Sequence, residues 1–204
     1  MNIYISFLLG FVFLNAQAAS LPKNAPISVL SSIKTVDIEH TSEIATFDPA
    51  WVDSLSLSLP CYGIPVPKRT MRLPNAPRNY RNGTHRGLDF FANWGTPVRS
   101  VADGIVVRSD LYYEEVPADF RENLLKATTK VGHTPSDIFD SVLLGKSVFL
   151  DHGFDLIPGF RTISIYAHLS HIEKEIVPGA IVKRGELLGK SGNTGMREST
   201  IAPD

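Results

Sequence analysis

The hydrophobic pattern changes character several times along the chain. Ile3 to Leu14 is almost wholly apolar (IYISFLLGFVFL). This run is shorter than the ~20 residues a helix needs to span a bilayer comfortably. Small residues come next, with Ala16, Gln17 and Ala18 in an A-x-A arrangement. That is the pattern of a secretory signal peptide, so residues 1–19 are expected to leave by cleavage near Ala18 or Ala19. No Lys or Arg precedes the run, and an uncleaved anchor is the other reading. Residues 20 to 60 show no clear period, apart from a short alternation of Trp51, Leu55, Leu57 and Leu59. It fits a strand that docks on the main domain, or a loose segment. Residues 60 to 84 are rich in Pro, Gly, Arg and Asn. Each Pro removes a donor and restricts its predecessor, so a long ordered loop is expected.

From His85 onward short apolar runs alternate with turn signals. Gly87 to Phe91, Thr96 to Val101 and Gly104 to Asp110 read as strands, divided by Asn93-Trp94-Gly95 and Ala102-Asp103-Gly104. Pro117 to Lys130 then places Phe120, Leu124 and Ala127 at helical spacing, acidic early and basic late. A second short helix is expected from Pro135 to Leu144, with Thr134 as N-cap and Gly145 as its stop. Strands resume at Ser147 to Asp151 and Thr162 to His168. The expectation is a mainly β fold: a small antiparallel sheet domain over residues 70–204, carrying a two-helix insertion at 111–145. Residues 20–69 precede it as an N-terminal segment and ordered loop.

Composition narrows the function classes. The 204 residues suffice for one domain, and a 43% hydrophobic content can build a core. The formal charge of −1 leaves no electrostatic footprint for nucleic acid. No polybasic stretch suggests a membrane surface, and no stable span is expected once the leader is gone. Cys61 is the single cysteine. It can form no intramolecular disulfide and reads as a buried or half-buried thiol.

Three segments could carry chemistry. In His85-Arg86-Gly87-Leu88-Asp89, a strand would put positions i and i+4 on one face, with Gly87 leaving that face open. An imidazole and a carboxylate sharing one space suit Zn²⁺. Alone this spacing is a weak signal, and it also fits a His–Asp hydrogen bond at the surface. Tyr166-Ala167-His168-Leu169-Ser170 ends a buried alternating run, so His168 is placed either for a cleft or as a satisfied structural residue. His152, in Asp151-His152-Gly153, carries the same ambiguity. The Gly-rich run from Gly185 to Gly195 lacks the P-loop spacing, because Arg184 stands where Gly is needed. It reads as tight turns between short strands.

In order along the chain stand Gly83-Thr84-His85-Arg86-Gly87-Leu88-Asp89-Phe90, Gly95-Thr96-Pro97-Val98 and Ala102-Asp103-Gly104-Ile105-Val106. Asp151-His152-Gly153, Tyr166-Ala167-His168-Leu169-Ser170, Val182-Lys183-Arg184-Gly185 and Gly189-Lys190-Ser191-Gly192-Asn193-Thr194-Gly195 come after them. Together, over residues 70 to 195 without the insertion, they resemble the lysostaphin/LytM-type zinc peptidases of the bacterial cell wall. The resemblance implies that His85 and Asp89 are zinc ligands and that His168 assists catalysis beside the zinc-bound water. It implies a non-ligand strand-end role for His152. It leaves Tyr80 near the place where some members carry a transition-state-stabilising tyrosine. The implied cofactor is Zn²⁺. The implied substrate is the peptide part of peptidoglycan, in the periplasm or outside the cell. Members that have lost ligands activate other wall hydrolases, which would then be the partners.

One departure stands out. The family's third ligand lies in an H-x-H motif soon after the Gly-Asn-Thr-Gly turn. Here Met196 to Asp204 reads MRESTIAPD, and no H-x-H occurs among the 204 residues. The resemblance therefore implies an incomplete ligand set in this sequence. His171, three residues after His168, is a poor substitute. N-terminal sequencing of the exported protein is expected to begin at Ala19 or Ser20; a membrane-bound form retaining Met1 would overturn the leader assignment.

Overall fold

The computed structural model describes residues 2–10, 48 and 50–196. The Ala16-Gln17-Ala18 motif, residues 20–47 and residues 197–204 lie outside the described residues. The architecture is mainly β, with antiparallel sheets and few helices. No helix among the described residues is long and apolar enough to cross a membrane.

A six-stranded sheet carries β1 (Asn2–Gly10), β4 (Leu88–Asn93), β6 (Gly104–Ser109), β7 (Val148–Asp151), β8 (Ile163–Tyr166) and β10 (Ile181–Val182). Its order is β10-β6-β7-β8-β1-β4, and each neighbouring pair is antiparallel. A second sheet has the order β5-β11-β9, formed by Pro97–Arg99, Leu187–Ser191 and Leu169–Ile172. A two-residue ladder joins β2 (Pro77–Arg78) to β3 (Gly83–Thr84).

Alternation along the strands builds two apolar layers. In β7, Val148 and Leu150 enter the core between the two sheets, while Phe149 turns to the opposite face. In β8, Tyr166 joins the first layer and Ile163 and Ile165 the second. Val98, Leu169, Ile172 and Leu188 close the main core from the second sheet. Phe139, Leu144 and Ala167 cover the other face. Cys61 is fully buried in the main core, and desolvation pushes its thiol up to about 11. A thiol held protonated in this way is unreactive.

The described part of the segment before the domain, residues 48 and 50–69, docks without forming a strand. Ala50–Asp53 makes one helical turn, α1. Leu57 then packs on the core, and the Ser58 N–H donates to the Val101 carbonyl (2.9 Å). The loop expected over 60–84 is ordered and contains more than loop: 3₁₀ turns at Thr70–Arg72 and Asn79–Arg81 flank β2.

The insertion is helical, with a different inward face from the one expected. Helix α2 spans Ala118–Val131 and stops at Gly132 (φ 82°), whose N–H caps the Thr128 carbonyl. Its buried stripe is Arg121, Leu125 and Thr128, whereas Phe120 is 52% exposed. Polar residues take the inward side because each has a partner there: Arg121 pairs with Glu115, and the Thr128 hydroxyl donates to the Leu125 carbonyl. Helix α3 (Ser136–Ile138) runs into a π-turn, Phe139–Leu143. Thr134 does not cap it. Pro135 occupies the cap position, and the buried Thr134 hydroxyl instead donates to the Arg81 carbonyl.

Among the described residues, strand β4 meets the six-stranded sheet only through β1. Removing residues 1–19 would expose edges on both β4 and β8, and unpaired edges promote association. A chain beginning at Ser20 is therefore expected to self-associate more than the full chain. Size-exclusion chromatography at matched concentrations checks this, and indistinguishable profiles would show that β1 contributes nothing to closing the sheet.

Candidate functional site

His85 and Asp89 come together, though by a route other than a shared strand face. Strand β4 begins at Leu88, so His85 lies in the connector after β3. Its backbone prolongs the small ladder: the His85 N–H donates to the Ala76 carbonyl (2.7 Å), and the Asn75 N–H donates to the His85 carbonyl (2.8 Å). The chain then enters β4, and Asp89 returns to the imidazole. His85 Nε2 lies 2.9 Å from Asp89 Oδ1. Both residues are buried, at 7% and 8% exposure, so the contact is not the surface hydrogen bond of the alternative reading.

The chemistry of this contact depends on the proton. The Leu73 carbonyl can only accept, so at 2.9 Å His85 Nδ1 carries the hydrogen. In the neutral ring, Nε2 is then a lone-pair nitrogen. It faces a carboxylate oxygen and makes no hydrogen bond of acceptable geometry, despite the ion-pair distance. Two electron-pair donors in buried contact call for a positive charge between them: a proton on Nε2, or a cation bound by both. The second Asp89 oxygen lies 3.2 Å from Arg78 Nη2, which also donates to the Met71 carbonyl (2.8 Å). Arg78 thus holds the carboxylate from the far side.

The charges of Asp89 and His85 both act on His168. Its backbone is left-handed (φ 57°), unusual for a residue with a Cβ, and its N–H donates to the Leu144 carbonyl (2.9 Å). Nδ1–H donates to the Thr194 carbonyl (2.8 Å), which leaves Nε2 as the acceptor nitrogen. Thr194 is itself clamped: its Oγ1 accepts the Lys146 N–H and donates to the Leu169 carbonyl, both at 2.9 Å. Desolvation lowers the His168 pKa, with the charge of His85 a lesser cause in the same direction; the Thr194 bond and the charge of Asp89 oppose it. His168 is therefore neutral at pH 7.

The other candidates lie elsewhere. His152 Nδ1–H donates to the Asp103 carbonyl (2.6 Å), and its Nε2 is 2.7 Å from Ser164 Oγ. Both nitrogens are engaged, so His152 braces the strand end. A Cβ on Gly104 would come within 2.9 Å of His152 Nδ1, which is why the turn there needs glycine. His171 has an exposed side chain, 3.8 Å from Glu173. Tyr80 is 41% exposed and interacts with Arg81 on its turn. Among the described residues, no group of three His, Cys, Asp or Glu side chains converges as a metal site. Arg78 and the carbonyls of Leu73 and Thr194 were not anticipated from the sequence. An acceptor carbonyl leaves no mark on residue type.

No family model matches the chain, and no curated protein matches it significantly. Among solved structures, it is similar to a crystal structure from Pseudomonas aeruginosa named as a candidate peptidase M23. The sequence identity is 29% and the TM-score 0.33, over 72% of this chain and 46% of that one. The chain spans less than half of that protein's length. A TM-score of this size does not establish a common fold.

Burial of neutral His168 gives a pH signature. Its folded pKa lies below the unfolded value, so the folded chain binds fewer protons in the window between them. The associated stability is fully present above the unfolded pKa of ~6.5 and declines as pH falls through that window. Urea unfolding is expected to show this decline in the native chain and a shallower one in His168→Gln. Equal slopes would show that His168 burial does not set it.

Proposed function

We propose that this chain is a metallopeptidase domain of the lysostaphin/LytM type, acting on the peptide bonds of peptidoglycan, with His85 and Asp89 as two zinc ligands and His168 as the catalytic base. The observation that carries the reading is the buried contact between His85 Nε2 and Asp89 Oδ1, with the His85 tautomer set by the Leu73 carbonyl. A nitrogen lone pair and a carboxylate oxygen at one point are the donor types zinc takes. The backbone carbonyl behind Nδ1 is the customary outer support of a ligating histidine. The ordered series of sequence motifs supports the same reading and supplies the substrate class. The apolar leader fits work outside the cytoplasmic membrane.

A zinc ion held by His85 and Asp89 would supply a water acidified toward a pKa of ~7 and a Lewis acid for the scissile carbonyl. The chain's own residues do the rest. Arg78 and the Leu73 carbonyl keep Asp89 and His85 oriented without a search at each turnover. His168, neutral and with Nε2 free of a proton, can accept one as the attack proceeds.

Two protein ligands are one fewer than catalytic zinc normally has. A strand carrying H-x-H would complete the set if it entered where β1 runs, since Ser6 lies opposite Asp89 in that register. A second reading is a LytM-like module that binds the wall or activates other wall hydrolases without cleaving anything itself.

The 204-residue chain is expected to bind zinc weakly and to cleave peptidoglycan peptides little or not at all. A form extended by a strand with H-x-H is expected to regain both. In that form, His85→Ala should lose metal and activity together. His168→Ala should lose activity by about 10²–10⁴-fold, as for a general base, and keep its zinc. Elemental analysis beside peptide cleavage reads both. An extended form that binds zinc but never cleaves would favour the binding module, and tight stoichiometric zinc in the 204-residue chain would mean the third ligand is misassigned.

A further inference from the structure

We infer that Glu115, at the start of the helical insertion, is a positioning residue that sets the tautomer of His168. The functional weight of this inference rests on the catalytic role proposed for His168. The route runs through a single peptide group. The Gly195 N–H donates to both oxygens of Glu115, at 2.9 and 3.0 Å. The carbonyl at the other end of that same peptide belongs to Thr194 and accepts the His168 Nδ1–H at 2.8 Å. Peptide groups are planar, with N–H and C=O pointing in opposite directions. Glu115 therefore grips one end of the plane that His168 grips at the other. A rotation of this peptide breaks both bonds at once.

Two further effects act in the same direction. A carboxylate receiving an N–H makes a charge-assisted bond, and it polarises the peptide so that the carbonyl beyond becomes a stronger acceptor. Glu115 is itself held by Arg121 Nη1 at 3.2 Å, from a guanidinium that α2 keeps 5% exposed. The turn has no room to shift sideways. Gly195 (φ 76°) lies against Gly145, where an added Cβ would meet the Gly145 nitrogen at 2.6 Å. The insertion therefore reaches the site through hydrogen bonds: Arg121 holds Glu115, Glu115 holds the Thr194–Gly195 peptide, and the peptide decides which imidazole nitrogen keeps its hydrogen. With Nδ1 protonated, Nε2 is the nitrogen left to accept.

The test reads the ring directly and needs no activity. The full 204-residue chain, ¹⁵N-labelled and treated with chelator at neutral pH, is examined by long-range ¹H–¹⁵N correlation of its imidazoles. His168 is assigned through His168→Gln. The native chain is expected to show the Nδ1–H form. In Glu115→Ala the Nε2–H form should rise several-fold, whereas Glu115→Gln, which keeps an oxygen for the Gly195 N–H, should stay near the native pattern. If Glu115→Ala does not fold, Glu115→Asp answers instead: it keeps charge opposite Arg121 but withdraws the carboxylate from Gly195, and the same rise is expected. A native tautomer pattern in a folded Ala or Asp variant overturns the inference, as does an equal rise in the Gln variant. Failure of the extended form to cleave peptides would sink the proposed function and leave this tautomer result untouched.

Discussion

A hydroxyl buried in the main core constrains everything around it. Tyr166 has no exposure, and a buried hydroxyl left without a partner costs about 1–3 kcal/mol. Its oxygen accepts the Val101 N–H (2.9 Å) and lies 3.2 Å from Ser164 Oγ. Ser164 in turn meets His152, which holds the Asp103 carbonyl. This polar thread ties β8 to the turn between β5 and β6. It also anchors the strand two residues before His168, so the left-handed step at His168 begins from a fixed point.

Much of the fold was legible because period-2 alternation reports which face a side chain takes. Val148, Phe149 and Leu150 divide between two layers as that rule requires. The legible part ended where a partner, rather than hydrophobicity, chose the face. Phe120, Leu124 and Ala127 have helical spacing, yet Arg121 and Thr128 go inward because Glu115 and a helix carbonyl receive them. Thr134 looked like a helix cap by residue type, and the Arg81 carbonyl outcompeted that use.

The site obeyed the same division. The order of the motifs, more than residue type, marks His85, Asp89 and His168 as candidates in the sequence, and the structure brings His85 and Asp89 into contact. Their arrangement was not legible there. His85 and Asp89 meet across a connector rather than along a strand. The groups that set the two tautomers are backbone carbonyls, at Leu73 and Thr194, supplied by segments 12 and 26 residues away in sequence. Only the fold brings such atoms to the rings.

The position of β1 has a consequence in time. Its residues are synthesised well before its neighbours in the sheet, β4 and β8, the second complete only at Tyr166. At ~5–20 residues per second, the strand waits roughly ten to thirty seconds for its last partner to be made. Until β4 is made this apolar ribbon has neither neighbour, and until β8 is made one of its edges stays open. Any cellular factor that binds such a ribbon therefore has a head start over the sheet, and the fate of the segment is decided by a race before the domain exists.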